Sequence, residues 1–127
     1  MENIRKTKIL IVDDHEKFRE GLRQLIESKP DTLVVGEAEN GQKAVILARE
    51  LQPDLILMDV KMPVMDGMEA TRRILAESPG MKIISLSMYS DNFINAGMMS
   101  AGCMGCLVKG DDFEEMYKVI RRIVRLR

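Results

Sequence analysis

Five side chains suited to phosphorus or metal chemistry stand directly after short apolar runs. Asp13 and Asp14 follow the run 9–12, Asp59 follows 55–58, Ser87 follows 83–86 and Lys109 follows 105–108. If these runs are strands of one sheet, three carboxylates, a hydroxyl and an ammonium group meet at one edge. Gathered carboxylates repel one another, which raises the pKa of at least one of them. A hard divalent cation removes the conflict. Mg2+ suits a site of a few carboxylates, a carbonyl, waters and phosphate oxygens. One carboxylate is then free to attack phosphorus and form an aspartyl phosphate. Phosphoryl transfer depends mainly on positioning and charge neutralisation. Lys109 offers a second positive charge for that purpose, and Ser87 a hydroxyl donor.

The elements that must position these groups alternate along the chain. After the run 9–12, Phe18, Leu22, Leu25 and Ile26 recur at helical spacing until Pro30 and Asp31 stop the pattern. Residues 33–35 read as a second strand. Asn40-Gly41 opens a second helix with Ala44, Val45, Leu47, Ala48 and Leu51, closed by Pro53. The third strand, 55–58, leads into a loop with Pro63 and Asp66-Gly67, where Asp66 is a natural N-cap. Met68, Ala70, Thr71, Ile74 and Leu75 form a third helix that ends before Pro79-Gly80. Residues 83–86 and 105–108 are the fourth and fifth strands. Asp111 is expected to cap a final helix carrying Phe113, Met116, Val119, Ile120 and Ile123. The fourth helix, 91–100, holds two Asn and one Gly. An interior Gly costs about 1 kcal/mol relative to Ala, so this helix is expected to be short or mobile. Five strands alternating with five helices predict an α/β fold whose parallel sheet is covered on both faces. Such sheets bind ligands at the carboxyl ends of their strands, which is where the five side chains lie.

Composition bounds the rest. The 127 residues are the usual size of one domain, and 46% apolar with 31% charged residues is a globular composition. Lys+Arg (19) nearly balance Asp+Glu (20), which gives no reason to expect direct nucleic-acid binding. No stretch approaches the ~20 apolar residues of a membrane span. Residues 1–8 are polar, unlike a signal peptide, so a cytoplasmic location is expected. The final segment carries Lys118, Arg121, Arg122, Arg125 and Arg127, read as a solvated face leading toward a linker.

Three further features read as structural. His15 follows the acid pair but begins a helix, so an exposed or capping role is expected. Cys103-Met-Gly-Cys106 has the spacing of zinc and redox sites. Zinc normally takes four ligands, however, and the chain has two cysteines and one histidine. Cys106 also falls inside a strand, not at a helix N-terminus. Met98, Met99 and Met104 suit packing, or an apolar part of an output surface.

The motifs, taken together, resemble a known family. Ile9-Leu-Ile-Val-Asp13-Asp14-His15, Asp59-Val-Lys-Met62-Pro63 with Met65-Asp66-Gly67, Leu86-Ser87, and the run from Gly105 to Lys109 look like the receiver domain of two-component response regulators. The resemblance covers residues 8–126. It implies a flavodoxin-like, doubly wound five-stranded parallel sheet of order 2-1-3-4-5 with five helices, forming one receiver domain over 1–127. Val12-Asp-Asp-His15, Phe18-Arg19-Glu20-Gly21-Leu22 and Val35-Gly-Glu-Ala-Glu-Asn-Gly41 resemble the NarL/FixJ branch. Members of that branch usually carry a LuxR-type helix-turn-helix after the receiver, and this chain ends where the linker to it is expected to begin.

The resemblance also implies roles. Asp59 would accept a phosphoryl group from the phosphohistidine of a sensor histidine kinase. Asp13, Asp14 and the backbone carbonyl of Lys61 would hold Mg2+ together with Asp59. Lys109 would contact a phosphoryl oxygen, and Ser87 would move toward it and draw the following loop along. The output surface would be the fourth helix, fifth strand and fifth helix, and a second copy in a homodimer would be one partner. Lys61 and Tyr89, flanking the path of attacking water, would tune the lifetime of the phosphoryl group. The chain would thus be a switch assisting its own phosphorylation and dephosphorylation, and no conventional enzyme.

Two switch positions depart from the family pattern. Met88 stands where a small residue usually leaves a path to the acceptor, and Cys106 stands where an aromatic ring usually reports the movement of Ser87. Gly110 replaces a common Pro, as in the NarL/FixJ branch. These departures motivate a second reading: a degenerate receiver that acts unphosphorylated as a protein-interaction module. A haloacid-dehalogenase-like phosphatase would need Asp-x-Asp after the first strand, whereas here the acids are adjacent. A dinucleotide-binding fold would need Gly-x-Gly-x-x-Gly there.

Overall fold

The computed structural model describes residues 5–88 and 91–126; Tyr89 and Arg127 lie outside the described residues. Aliphatic and β-branched runs form the strands β1 (Thr7–Val12), β2 (Thr32–Ala38), β3 (Leu55–Asp59), β4 (Ile83–Ser87) and β5 (Gly105–Val108). Amphipathic stretches between and after them form α1 (Glu16–Glu27), α2 (Gly41–Leu51), α3 (Gly67–Glu77), α4 (Asn92–Ala101) and α5 (Phe113–Val124). All strand pairs are parallel, in the order β2-β1-β3-β4-β5. This is the doubly wound, flavodoxin-like sheet that the sequence implies.

Because successive strand residues face opposite sides, β1 and β3 feed two cores. Leu10, Val12, Ile56 and Met58 pack with Ala44, Ala48, Ala70, Ile74 and Met98 of α2, α3 and α4. Ile9, Ile11, Leu55 and Leu57 pack with Leu22, Ile26, Met116, Ile120 and Ile123 of α1 and α5. Each such aliphatic side chain contributes about 1.5–3 kcal/mol on full burial, so the central strands are the rigid frame. No helix among the described residues is long and apolar enough to cross a membrane.

Helix starts follow local chemistry. Asn40 accepts from Lys43 N, Asp66 from Glu69 N, and Asp91 from Phe93 N and Ile94 N. One cap differs from expectation. The N-cap of α5 is Asp112, which accepts from Glu114 N, and not Asp111. Asp111 N donates to Val108 O, so Asp111 belongs to the turn after Gly110, whose φ of 89° reverses the chain. Leu25 also departs: it is 46% exposed, beside a groove between α1 and α5, while Leu22 and Ile26 reach the core.

Helix α4 is the shortest helix, ten residues, and it is continuous. Its interior glycine faces the tip of a flexible side chain on α3. A Cβ on Gly97 would lie 2.8 Å from Met68 Cε of α3. The helix ends on Gly102, whose φ of 118° suits a C-terminal cap.

Candidate functional site

The order of the strands reverses between β1 and β3, which are neighbours although β2 precedes β3 in sequence. Crevices at such reversals, beyond the carboxyl ends of the strands, are where these sheets bind ligands. Asp13 is the first residue past β1 and Asp59 is the last of β3. Asp13 N donates to Ala38 O at 2.9 Å. The Arg19 guanidinium donates to the Asp13 carbonyl at 2.5 Å and, through Nε, to Glu37 Oε1 of β2 at 3.1 Å. Arg23 also pairs with Glu37. These contacts tie the acid loop to the first turns of α1 and to the edge strand.

Asp59 is held from the other side. Gly67 N donates to Val60 O at 2.7 Å. A Cβ on Gly67 would lie 2.0 Å from Asp59 O, so only glycine lets α3 begin against this carbonyl. The loop between them turns tightly at Val64, with φ of 70° and Met65 N donating to Pro63 O at 2.7 Å. At the far side, Lys109 N donates to Ser87 O at 2.8 Å and joins the ends of β4 and β5.

The side chains then converge. Lys109 Nζ lies 2.5 Å from Asp13 Oδ2 and 3.2 Å from Asp59 Oδ2, and 4.9 Å above the Phe18 ring. Asp59 Oδ1 accepts from Val60 N at 2.8 Å. Asp13 Oδ1 accepts from His15 N at 2.8 Å, and His15 Nδ1 lies 3.1 Å from Asp13 Oδ1 and 3.2 Å from Asp14 Oδ1. Asp13, Asp59 and Ser87 are buried, whereas Asp14 and His15 reach solvent. A cavity of about 260 Å3 opens onto Asp59, Ser87 and Lys109, with Lys61 and Met88 in its wall.

The electrostatics follow from this packing. Burial pushes the Asp59 carboxyl up to about 6, neighbouring Asp13 adds to the rise, and Lys109 opposes it. Asp13 Oδ2 is buried, with the Lys109 ammonium 2.5 Å away as its contact. One ligand atom each of Asp13, Asp14, His15 and Asp59 lies within 4.8 Å of the others. A buried acceptor with spare lone pairs inside a mostly carboxylate set fits a hard divalent cation.

The residues expected from sequence are thus brought together, with one exception. Cys106 sits away from the cavity, half-buried, its thiol directed at Asn95 O of α4 at 3.9 Å. Its sulfur lies 4.0 Å from that of Cys103, and burial pushes the Cys103 thiol up to about 12, in keeping with packing. Of the three methionines, Met98 is in the core, while Met99 and Met104 are exposed. His15 is exposed, as expected, but its side chain makes no cap hydrogen bond and its ring turns to the acid pair. Sequence reasoning missed two participants. Phe18 and Arg19 signal their roles only through their place in the branch motif.

The chain belongs to the response regulator receiver domain family, whose profile matches residues 9–121. It falls in the NarL/FixJ branch of the response regulators of two-component systems. It is 40% identical over 116 residues to the response regulator GacA of Pseudomonas aeruginosa, covering 91% of this chain and 54% of that protein. Its fold matches the two-component response regulator of the LuxR family from Aurantimonas at a TM-score of 0.89, with 35% identity over 94% of this chain and 85% of that one. The signal receiver domain of the putative response regulator NarL from Mycobacterium tuberculosis matches at a TM-score of 0.91, with 28% identity over 97% and 99% of the two chains. The chain spans about half the length of the curated relatives it matches.

Proposed function

We propose that Asp59 accepts a phosphoryl group from the phosphohistidine of a sensor histidine kinase, in a Mg2+-dependent reaction. The observation that carries this reading is the position of Asp59. It is the buried carboxylate that lines the cavity, close to the Asp13–Asp14 pair and to the Lys109 ammonium. Asp13, Asp14, Asp59 and the Lys61 carbonyl would hold the cation. When bound, Mg2+ supplies positive charge that offsets both the gathered carboxylates and the phosphoryl oxygens. An Asp59 oxygen attacks phosphorus, the P–N bond breaks, and the kinase imidazole leaves with the electron pair and takes up a proton. Lys109 neutralises a second phosphoryl oxygen, and Ser87 hydrogen-bonds a third. The same groups position water for hydrolysis, with Lys61 at the cavity wall to tune it. The domain is therefore a phosphoacceptor switch that assists its own phosphotransfer, not a turnover enzyme.

Movement of Ser87 would draw Met88 and the start of α4 with it, and so alter α4, β5 and α5. On that surface Phe93 is 85% and Met99 50% exposed, apolar area suited to a protein partner. Cys106 lies beneath it and replaces the usual ring, so the readout runs through α4 packing. The partners that fit are a second copy and a LuxR-type DNA-binding module in a longer parent chain, with transcription as the output. A second reading, a receiver that acts unphosphorylated, is favoured by Met88 at the cavity wall.

Incubation with Mg2+ and acetyl phosphate, followed by intact mass, separates the two. The first reading gives a Mg2+-dependent gain of one phosphoryl group that Asp59→Asn abolishes. No gain, with Mg2+ still bound, supports the second.

A further inference from the structure

His15 occupies the N-cap position of α1, yet its side chain makes no cap hydrogen bond. The ring instead lies over the acid pair, with Nδ1 at 3.1 and 3.2 Å from one carboxylate oxygen of each. Two separate contacts fix this placement. The His15 backbone N–H donates to the same Asp13 oxygen, and Arg19 N donates to His15 O at 3.1 Å. The ring also forms part of the cavity wall that holds Asp59 and Lys109. Nδ1 therefore sits where a nitrogen donor meets the three carboxylates, all within 4.8 Å. Its 60% exposure leaves the rest of the ring open to water, so Nε2 can keep the proton while Nδ1 presents a lone pair.

We propose that His15 Nδ1 is a ligand of the divalent cation held by Asp13, Asp14 and Asp59, biasing this site toward first-row transition cations such as Co2+ over Mg2+. The inference rests on the reading of this cluster as a cation site. The chemistry follows from donor type. Carboxylate, carbonyl and water suit Mg2+, whereas imidazole adds affinity for borderline cations and little for Mg2+. In the Nε2–H tautomer the Nδ1 lone pair points at the acid pair, where a cation between the carboxylates would accept it. The donor set becomes oxygen plus one nitrogen.

Titrations of the untagged chain with Mg2+ and with Co2+ at one pH test this, read by melting temperature and by visible absorption of Co2+. The Cys106→Ser background keeps Co2+ from the sulfur pair 4.0 Å apart. His15→Gln keeps an N–H donor near the acids and removes the aromatic nitrogen. The expected result is a loss of roughly tenfold or more in Co2+ affinity in His15→Gln, less than threefold for Mg2+, and a weaker, shifted Co2+ absorption band. The chain has one histidine, so its ring 15N signals are assigned without ambiguity, and Nδ1 should shift with Zn2+. Equal losses of Co2+ and Mg2+ affinity, or no loss, with Nδ1 unshifted, would overturn the role of His15 and leave the cation site standing. If neither cation raises the melting temperature of the parent, the cation site itself fails, and this inference with it.

Discussion

Asp59 is a carboxyl group buried between a like charge and an ammonium, and its titration reports that environment. Its ordinary value is 3.8, and the fold raises it to about 6. Folding without metal therefore favours the protonated form. The stability this contributes is fully present below about pH 4 and is lost as pH rises through about 6. In a chelator, Asp59→Asn is expected to be more stable than the parent at pH 7–8 by roughly 1–3 kcal/mol. The two should converge near pH 4, as urea denaturation across that range would show; equal stability at pH 7–8 would argue against the raised value. Gly67 makes the second residue-scale prediction. With Asp59 O 2.0 Å from any added Cβ, Gly67→Ala must move the acceptor strand or the start of α3. A cost of about 1–3 kcal/mol in chemical denaturation is expected, with slower phosphorylation because Asp59 moves. The motif Met65-Asp66-Gly67 marked this turn in the sequence, but the close approach that requires glycine needs the third dimension.

At the scale of elements, α1 does more than cover the sheet. Its first turns carry Phe18 under the Lys109 ammonium and Arg19 against the Asp13 carbonyl. Arg19→Ala should weaken Mg2+ binding by roughly tenfold, as loss of outer-shell support commonly does. Arg23→Ala, which touches Glu37 but not the acid loop, should leave it unchanged. Comparable losses in both would point to the α1–β2 seam as a whole and not to the Arg19 contact. The segment from β4 to α4 holds the other element-scale test. Met88 is 55% exposed at the cavity wall. Met88→Ala is expected to speed phosphorylation by acetyl phosphate severalfold without altering Mg2+ affinity; an unchanged rate would show that Met88 does not restrict access. The interior glycine of α4 reads in sequence as a weakness. In the fold it is the place where α4 approaches Met68 of α3, a contact invisible to propensity.

For the whole molecule, the acid pair is a frustrated site whose relief is linked to stability. A cation that binds only the folded state adds ~1.4 kcal/mol at ten times its dissociation constant. For a domain of this size that is a rise of about 5 °C in melting temperature. Asp14→Ala should abolish the rise, and by removing one like charge should not lower the stability of the metal-free protein. An undiminished rise in that variant would remove Asp14 from the site.

The sequence by itself determined the alternation of elements, the helix cap at Asp66, the opening of α2 at Asn40-Gly41, and the residue types at the strand ends. These are local or periodic signals, set by burial on a strand or by one turn of helix. Its one-residue error at Asp111 arose because two adjacent acids offer equivalent caps, and the turn at Gly110 decides between them. The order of the strands entered through the family resemblance, and only folding brings residues 46 apart, Asp13 and Asp59, onto the same ammonium. The burial that raises the Asp59 carboxyl, the aim of the His15 ring and the Arg19 clamp likewise belong to the tertiary structure. Each depends on distances between segments remote in the chain, which residue type and spacing do not encode singly.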